Sequence, residues 1–155
     1  MKRLLVRPLE FLCGALMVSV TGVVFLQVIS RYVFRHPYDW PEELARYLFV
    51  WVALLGAALA LSRGAHFSID ALVKRFPPAV QTGLALAIHG ALSIFLLLVA
   101  GSGLRLALKV TEQPSAAMEI SMTFPYLSIP ISFTLMFLFT VLDIFRLATR
   151  GMAES

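Results

Sequence analysis

Four apolar runs, each about as long as a bilayer is thick, dominate this chain and leave few folds open to it. They cover about residues 11–30, 43–62, 80–108 and 126–147. A helix needs ~20 apolar residues to cross a hydrocarbon core ~30 Å thick. In that core each backbone N–H and C=O must find its partner within the protein, and a helix pairs them within its own segment. A chain of 155 residues has too little interior to hide these runs from water as a soluble domain would. Its apolar share of 59% and charged share of 14% also lie outside the soluble range of about 45–50% and about 25%. The expected fold is all-α, a single membrane domain over 1–155 with four transmembrane helices.

The first run follows Lys2, Arg3 and Arg7, as a secretory signal would. Phe11–Ile29 is longer than the ~7–15-residue core of such a signal, and no small-x-small cleavage site comes after it. It is expected to be a retained span. The third run is too long for a perpendicular crossing and should tilt or project beyond the membrane. In the fourth, Pro125 suits a first turn, and Pro130 should kink the helix or distort its early turns. Between spans two and three, "HFSIDALVKRF" sets Ile69, Leu72, Val73 and Phe76 at helical spacing, with Asp70 and Lys74 as an i,i+4 pair. A short amphipathic helix over about 66–76 is expected to lie in the membrane surface, Lys74 and Arg75 toward lipid headgroups.

The net charge of +4 comes from residues that flank apolar runs, which indicates headgroup contact and topology rather than nucleic acid. With the N-terminus inside, Lys2, Arg3, Arg7, Arg63, Lys74, Arg75, Arg146 and Arg150 face the cytoplasm. The smaller set Arg31, Arg35, Arg46, Arg105 and Lys109 then faces out. The bias places both termini in the cytoplasm. Asp39, Glu42, Glu43, Glu112 and Glu119 all fall on the outer side. The single cysteine, Cys13, lies in an apolar run and is expected to be packing.

Catalytic patterns are missing: there is no Gly-rich phosphate loop, metal-ligand cluster or nucleophile with a nearby base. No cofactor is expected. A haem between helices needs two histidines at matched depth. His66 sits at the inner end of span two, whereas His89 is ~13 Å further along span three. His89 is expected to be a hydrogen-bonded group in a helix interface, though a haem-b anchor subunit of a respiratory enzyme stays open as a rival. Small residues at Ala53, Gly56, Ala57 and Ala60, at Gly83, Ala87, Gly90 and Ala91, and at Gly103 and Ala107 permit close helix approach, within the chain or to a partner.

The densest polar stretch is "DWPEELAR", Asp39–Arg46, at the head of span two. Asp39 and Glu42 have capping-box spacing, Pro41 is tolerated in a first turn, and the acids suit the positive end of the helix dipole. Glu42 and Arg46 are an i,i+4 pair, and Tyr38, Trp40 and Tyr47 suit an aromatic belt. More charge is present than a cap needs. Trp40, Glu42, Glu43 and Arg46, with Arg31 at the same outer end, are therefore candidates for contact with a partner.

The stretch "QVISRYVFRHPYDWPEELARYLFVWVALLGAALALSRGAHFSID", Gln27–Asp70, resembles the small membrane subunit of tripartite ATP-independent periplasmic (TRAP) transporters. The RYVF end of span one, the W-x-E-E-x-x-R start of span two, the LGAA run and an R-x-x-H-x-x-x-D segment carry the resemblance, joined by "FPYLSIPISF" later on. It implies a non-enzymatic scaffold subunit in the bacterial inner membrane, paired with a large multi-span permease subunit that holds substrate and sodium sites. It also implies a soluble periplasmic substrate-binding protein that delivers an organic acid. On this chain the outer motif falls on Trp40, Glu42, Glu43 and Arg46, and the inner one on His66 and Asp70. The small subunit of tripartite tricarboxylate transporters is a second rival, without the W-x-E-E-x-x-R arrangement.

Overall fold

The computed structural model describes residues 2–35, 38–63 and 77–151. Its helices are α1 (Lys2–Tyr32), α2 (Trp40–Ser62), α3 (Pro78–Lys109), the single turn α4 (Thr123–Tyr126) and α5 (Ser128–Gly151). Four stretches are long and apolar enough to cross a bilayer: Val6–Tyr32, Trp40–Ser62, Gly83–Lys109 and Thr123–Phe145. The short helix expected over 66–76 lies outside the described residues, and with it His66, Asp70, Lys74 and Arg75.

Local chemistry explains where these helices start and break. Pro41 occupies the first turn of α2, where its missing N–H would bond nothing. α3 is 32 residues long, or ~48 Å, so it outreaches a ~30 Å core as its length predicts. The distortion expected at Pro130 is a local interruption: Pro130 has no N–H for the Tyr126 carbonyl, and Leu127, its backbone still helical at φ −62° and ψ −21°, separates α4 from α5. The Ser128 hydroxyl donates to the Pro125 carbonyl at 2.6 Å, and the Ile131 N–H donates to Leu127 O at 3.2 Å across the interruption.

The helices pack as a row rather than a closed bundle. α1 packs on α2, α2 on α5, and α5 on α3, while α1 and α3 form the two edges. Leu9 of α1, Leu55 and Ala58 of α2, Leu96 of α3, and Met136 and Phe139 of α5 make the common core. α3 and α5 approach closely at Gly103. A Cβ on Gly103 would stand 2.6 Å from Ile129 Cγ2, so only glycine fits there without a shift. Ala100 and Ala107, a turn away on either side, are buried too. By contrast Ala53, Ala57 and Ala60 of α2, and Gly83, Ala87 and Ala91 of α3, are exposed. His89 is buried, and its Nδ1 lies 2.8 Å from the Ala85 carbonyl, as expected of a histidine in a helix interface.

Polar contacts mark the two ends of the helices. At one end Arg63, just past α2, pairs with Glu10 of α1 at 2.7 Å. At the other, α2 begins, α3 ends and α4 begins, and the candidate site lies there.

Candidate functional site

The residues between α3 and α4 fold into a compact hairpin. The Ser115 N–H donates to Ile120 O at 2.8 Å, and the Met122 N–H donates to Gln113 O at 3.0 Å. Pro114 and Ser121 face each other as an antiparallel bridge. The turn closes through Glu119, whose φ of 53° is left-handed. Hydroxyls anchor the base of the hairpin. Ser121 Oγ donates to Thr111 O at 2.7 Å, and Thr123 Oγ1 donates to Ala107 O at 3.0 Å.

Glu43, in the first turn of α2, fastens this hairpin. Its Oε2 accepts the N–H of Ala117 at 2.6 Å and that of Met118 at 3.2 Å. Its Oε1 accepts the Tyr47 hydroxyl from one turn along the same helix. The Ser115 hydroxyl stands beside the same carboxylate, and Met122 Sδ lies 3.3 Å from the Tyr47 oxygen. Glu43 is only 8% exposed. A buried carboxylate is tolerable when its oxygens are this fully bonded, and the hairpin supplies the donors. The contact joins residues 74 positions apart.

The rest of "DWPEELAR" behaves differently. The capping box does not form: Asp39 takes a helical backbone and its side chain caps nothing. Glu42 and Arg46 do pair, at 3.3 Å, with both side chains largely exposed. Trp40 and Tyr38 are exposed, whereas Tyr47 turns inward to Glu43 and leaves the expected aromatic belt. Arg31 is exposed in the last turn of α1. Thus Glu42, Arg46, Trp40 and Arg31 are displayed, and Glu43 is not. A cleft of about 490 Å³ opens between α2 and the hairpin, lined by Asp39, Glu42, Arg46, Pro114, Ala116 and Ala117 among others.

Reading the sequence as local pieces missed the hairpin. Its signal was the cluster of hydroxyls Ser115, Ser121 and Thr123 around a Pro-Ser turn, unneeded by any span. Deeper in, Trp51 stacks at a tilt on Phe124 with ring centroids 6.1 Å apart, tying α2 to α4. Among the described residues no group of three His, Cys, Asp or Glu is placed to hold a metal ion.

The architecture is that of a multi-pass membrane protein whose charged groups, among the described residues, gather toward the helix ends. Residues 20–150 match the family described as tripartite ATP-independent periplasmic transporters, DctQ component. The chain belongs to that family, a family of transporter subunits and not of enzymes. It is similar to the sialic acid TRAP transporter permease protein SiaT of Haemophilus influenzae, 39% identical over 46% of this chain and 12% of that one. The sialic acid TRAP transporter small permease protein SiaQ of Vibrio cholerae is 31% identical over 52% of this chain and 46% of its own length. The C4-dicarboxylate TRAP transporter small permease protein DctQ of Rhodobacter capsulatus is 27% identical over 88% of this chain and 74% of its own. The chain spans about half the length, or less, of the first curated relatives it matches. Neither a haem anchor nor a tricarboxylate transporter subunit is the family matched.

Proposed function

We propose that this chain is the small membrane subunit of a TRAP transporter that takes up an organic acid together with sodium. In that role it braces a large permease subunit in the bacterial inner membrane, both of its own termini cytoplasmic, and helps to receive a soluble periplasmic binding protein. The observation that carries the reading is the family match over 20–150. The lopsided match to a permease supports it: a stretch like this one accompanies a much longer remainder there. We assign the counterpart of that remainder to a partner subunit.

The placement of charge supports a scaffold role. Among the described spans, Glu10 and Asp143 lie toward one end and Glu42 and Glu43 toward the other. A carboxylate that couples an ion to transport belongs near mid-membrane, so coupling and substrate binding fall to the partner. The substrates named for the relatives are sialic acid and C4-dicarboxylates, which are carboxylates, and isethionate, a sulfonate; all are organic anions, hence the organic-acid class proposed. Lys74 and Arg75 are assigned to lipid headgroups on an interfacial helix, and His66 and Asp70 to the inner motif beside it.

Co-expression tests this directly. The chain should co-purify with the large membrane permease encoded beside it, and the reconstituted pair should take up an organic acid when a sodium gradient and the binding protein are supplied. No stable association defeats the reading. Uptake indifferent to sodium removes the coupling and leaves the subunit assignment.

A further inference from the structure

The hairpin between α3 and α4 closes on itself at its base but not at its tip. The N–H groups of Ala117 and Met118 turn outward from it, and Glu43 takes both. The helices α2 and α3 share no packed face, so the tip is fastened to α2 chiefly by this one side chain. On either side of the fastening the surface is exposed: the charged Glu42–Arg46 pair on α2, and Ala116, Ala117 and the charged Glu119 on the hairpin. Glu43 itself is covered.

We propose that Glu43 is a positioning residue: it locks the hairpin against α2 so that the Glu42–Arg46 pair and the hairpin tip form one docking surface for the soluble binding protein. This rests on the small-subunit reading. Glu43 does not touch the partner. The surface it assembles is exposed and carries the charges of Glu42, Arg46 and Glu119 at the end of the spans, where a water-soluble protein can reach it, whereas a membrane partner packs on apolar flanks. Docking two specific patches needs their parts held in one orientation, and a loose hairpin loses that orientation before it loses any contact residue.

Glu43→Ala removes every acceptor of the clasp, Glu43→Gln keeps one oxygen for the tip N–H groups, and Tyr47→Phe removes only the hydroxyl donor. Two readouts separate positioning from general damage. Spin labels at Asp39→Cys and Glu119→Cys, in a Cys13→Ser background in lipid nanodiscs, report the hairpin against α2. The distance distribution should broaden in Glu43→Ala, less so in Glu43→Gln. In proteoliposomes holding the whole complex, Glu43→Ala should raise the binding-protein concentration for half-maximal uptake about tenfold, the equivalent of one lost buried hydrogen-bond partner. The maximal rate should be retained, excess binding protein should restore uptake, and the Gln and Phe variants should fall between. An unchanged label distance overturns the clasp. A lower maximal rate with unchanged half-saturation overturns the docking role. A wild-type complex that ignores the binding protein defeats the small-subunit reading and the docking role together, while the label distances still decide the clasp.

Discussion

Gly103 and Glu43 show how much a single position can decide in a chain whose solvent is lipid. Lipid tails are as apolar as leucine, so helix association depends on close packing and polar contacts rather than on escape from water. Of the glycines described, Gly103 alone has a neighbour within 4 Å of where a Cβ would stand. An alanine methyl would meet Ile129 Cγ2 at 2.6 Å, Ile129 Cβ at 3.2 Å and Pro130 Cδ at 3.3 Å. Ile129 is β-branched and Pro130 is a ring, so neither can swing aside. Gly103→Ala should therefore force α3 and α5 apart and cost about 1–3 kcal/mol. Gly56, on α2, meets nothing within 4 Å. Gly56→Ala should be neutral or gain a few tenths of a kcal/mol, up to about 1, from helix propensity. Thermal unfolding of both variants in one detergent checks the pair: a lower midpoint for Gly103→Ala alone is expected, and equal midpoints refute the close-packing account. Glu43 makes the complementary point. Its type and its place in the first turn of α2 could be read directly, but its partners are the N–H groups of residues 117 and 118, which no local rule connects to it.

Among the elements, the long helices were the easiest to read, because an uninterrupted apolar run has one stable form in a bilayer. The interruption at Leu127 was half legible: Pro130 announced a disturbance, and its form depended on how Ser128 and Ile131 bonded around it. The hairpin left only a faint trace, the hydroxyls around Pro114-Ser115, because contacts among side chains and turns hold it rather than periodicity. The tie between α1 and α2, where Glu10 meets Arg63 across 53 positions, was not legible. Both of its side chains are substantially exposed, at 38% and 64%. Exposed pairs contribute only about 0–1 kcal/mol, because water screens the attraction and two long side chains must be ordered. A double-mutant cycle with Glu10→Ala, Arg63→Ala and both should return a coupling below about 1 kcal/mol in detergent. The apolar contact of Leu9 with the core, not this ion pair, then sets the α1–α2 angle. A coupling of several kcal/mol would reverse that ranking.

At the scale of the whole molecule, the row of helices and the two kinds of end define a direction across the membrane. Antiparallel neighbours place the Glu10–Arg63 tie at one face and the Glu43 hairpin at the other. In the orientation we propose from the lysine and arginine bias, the first face is the cytoplasmic one, because Arg7 and Arg63 lie there with Lys2, Arg3, Arg146 and Arg150. That rule counts positive charge and gives acids little weight, so the gathering of Glu42, Glu43, Glu112 and Glu119 at the hairpin end is a separate indication, consistent with it but not part of it. The two edges of the row add a further constraint. α1 leaves Phe11, Val18 and Phe25 uncovered and α3 leaves Ile94, Leu98 and Leu108, so both flanks must stay in lipid or against a membrane partner. Only the ends are then free for water. In a Cys13→Ser background, a cysteine at Ala116 should react with a membrane-impermeant maleimide added to intact cells, and one at Gly151 only after the membrane is opened. The opposite pattern would put the hairpin in the cytoplasm. It would remove any surface there for a periplasmic protein, while leaving the packing of the four spans unchanged.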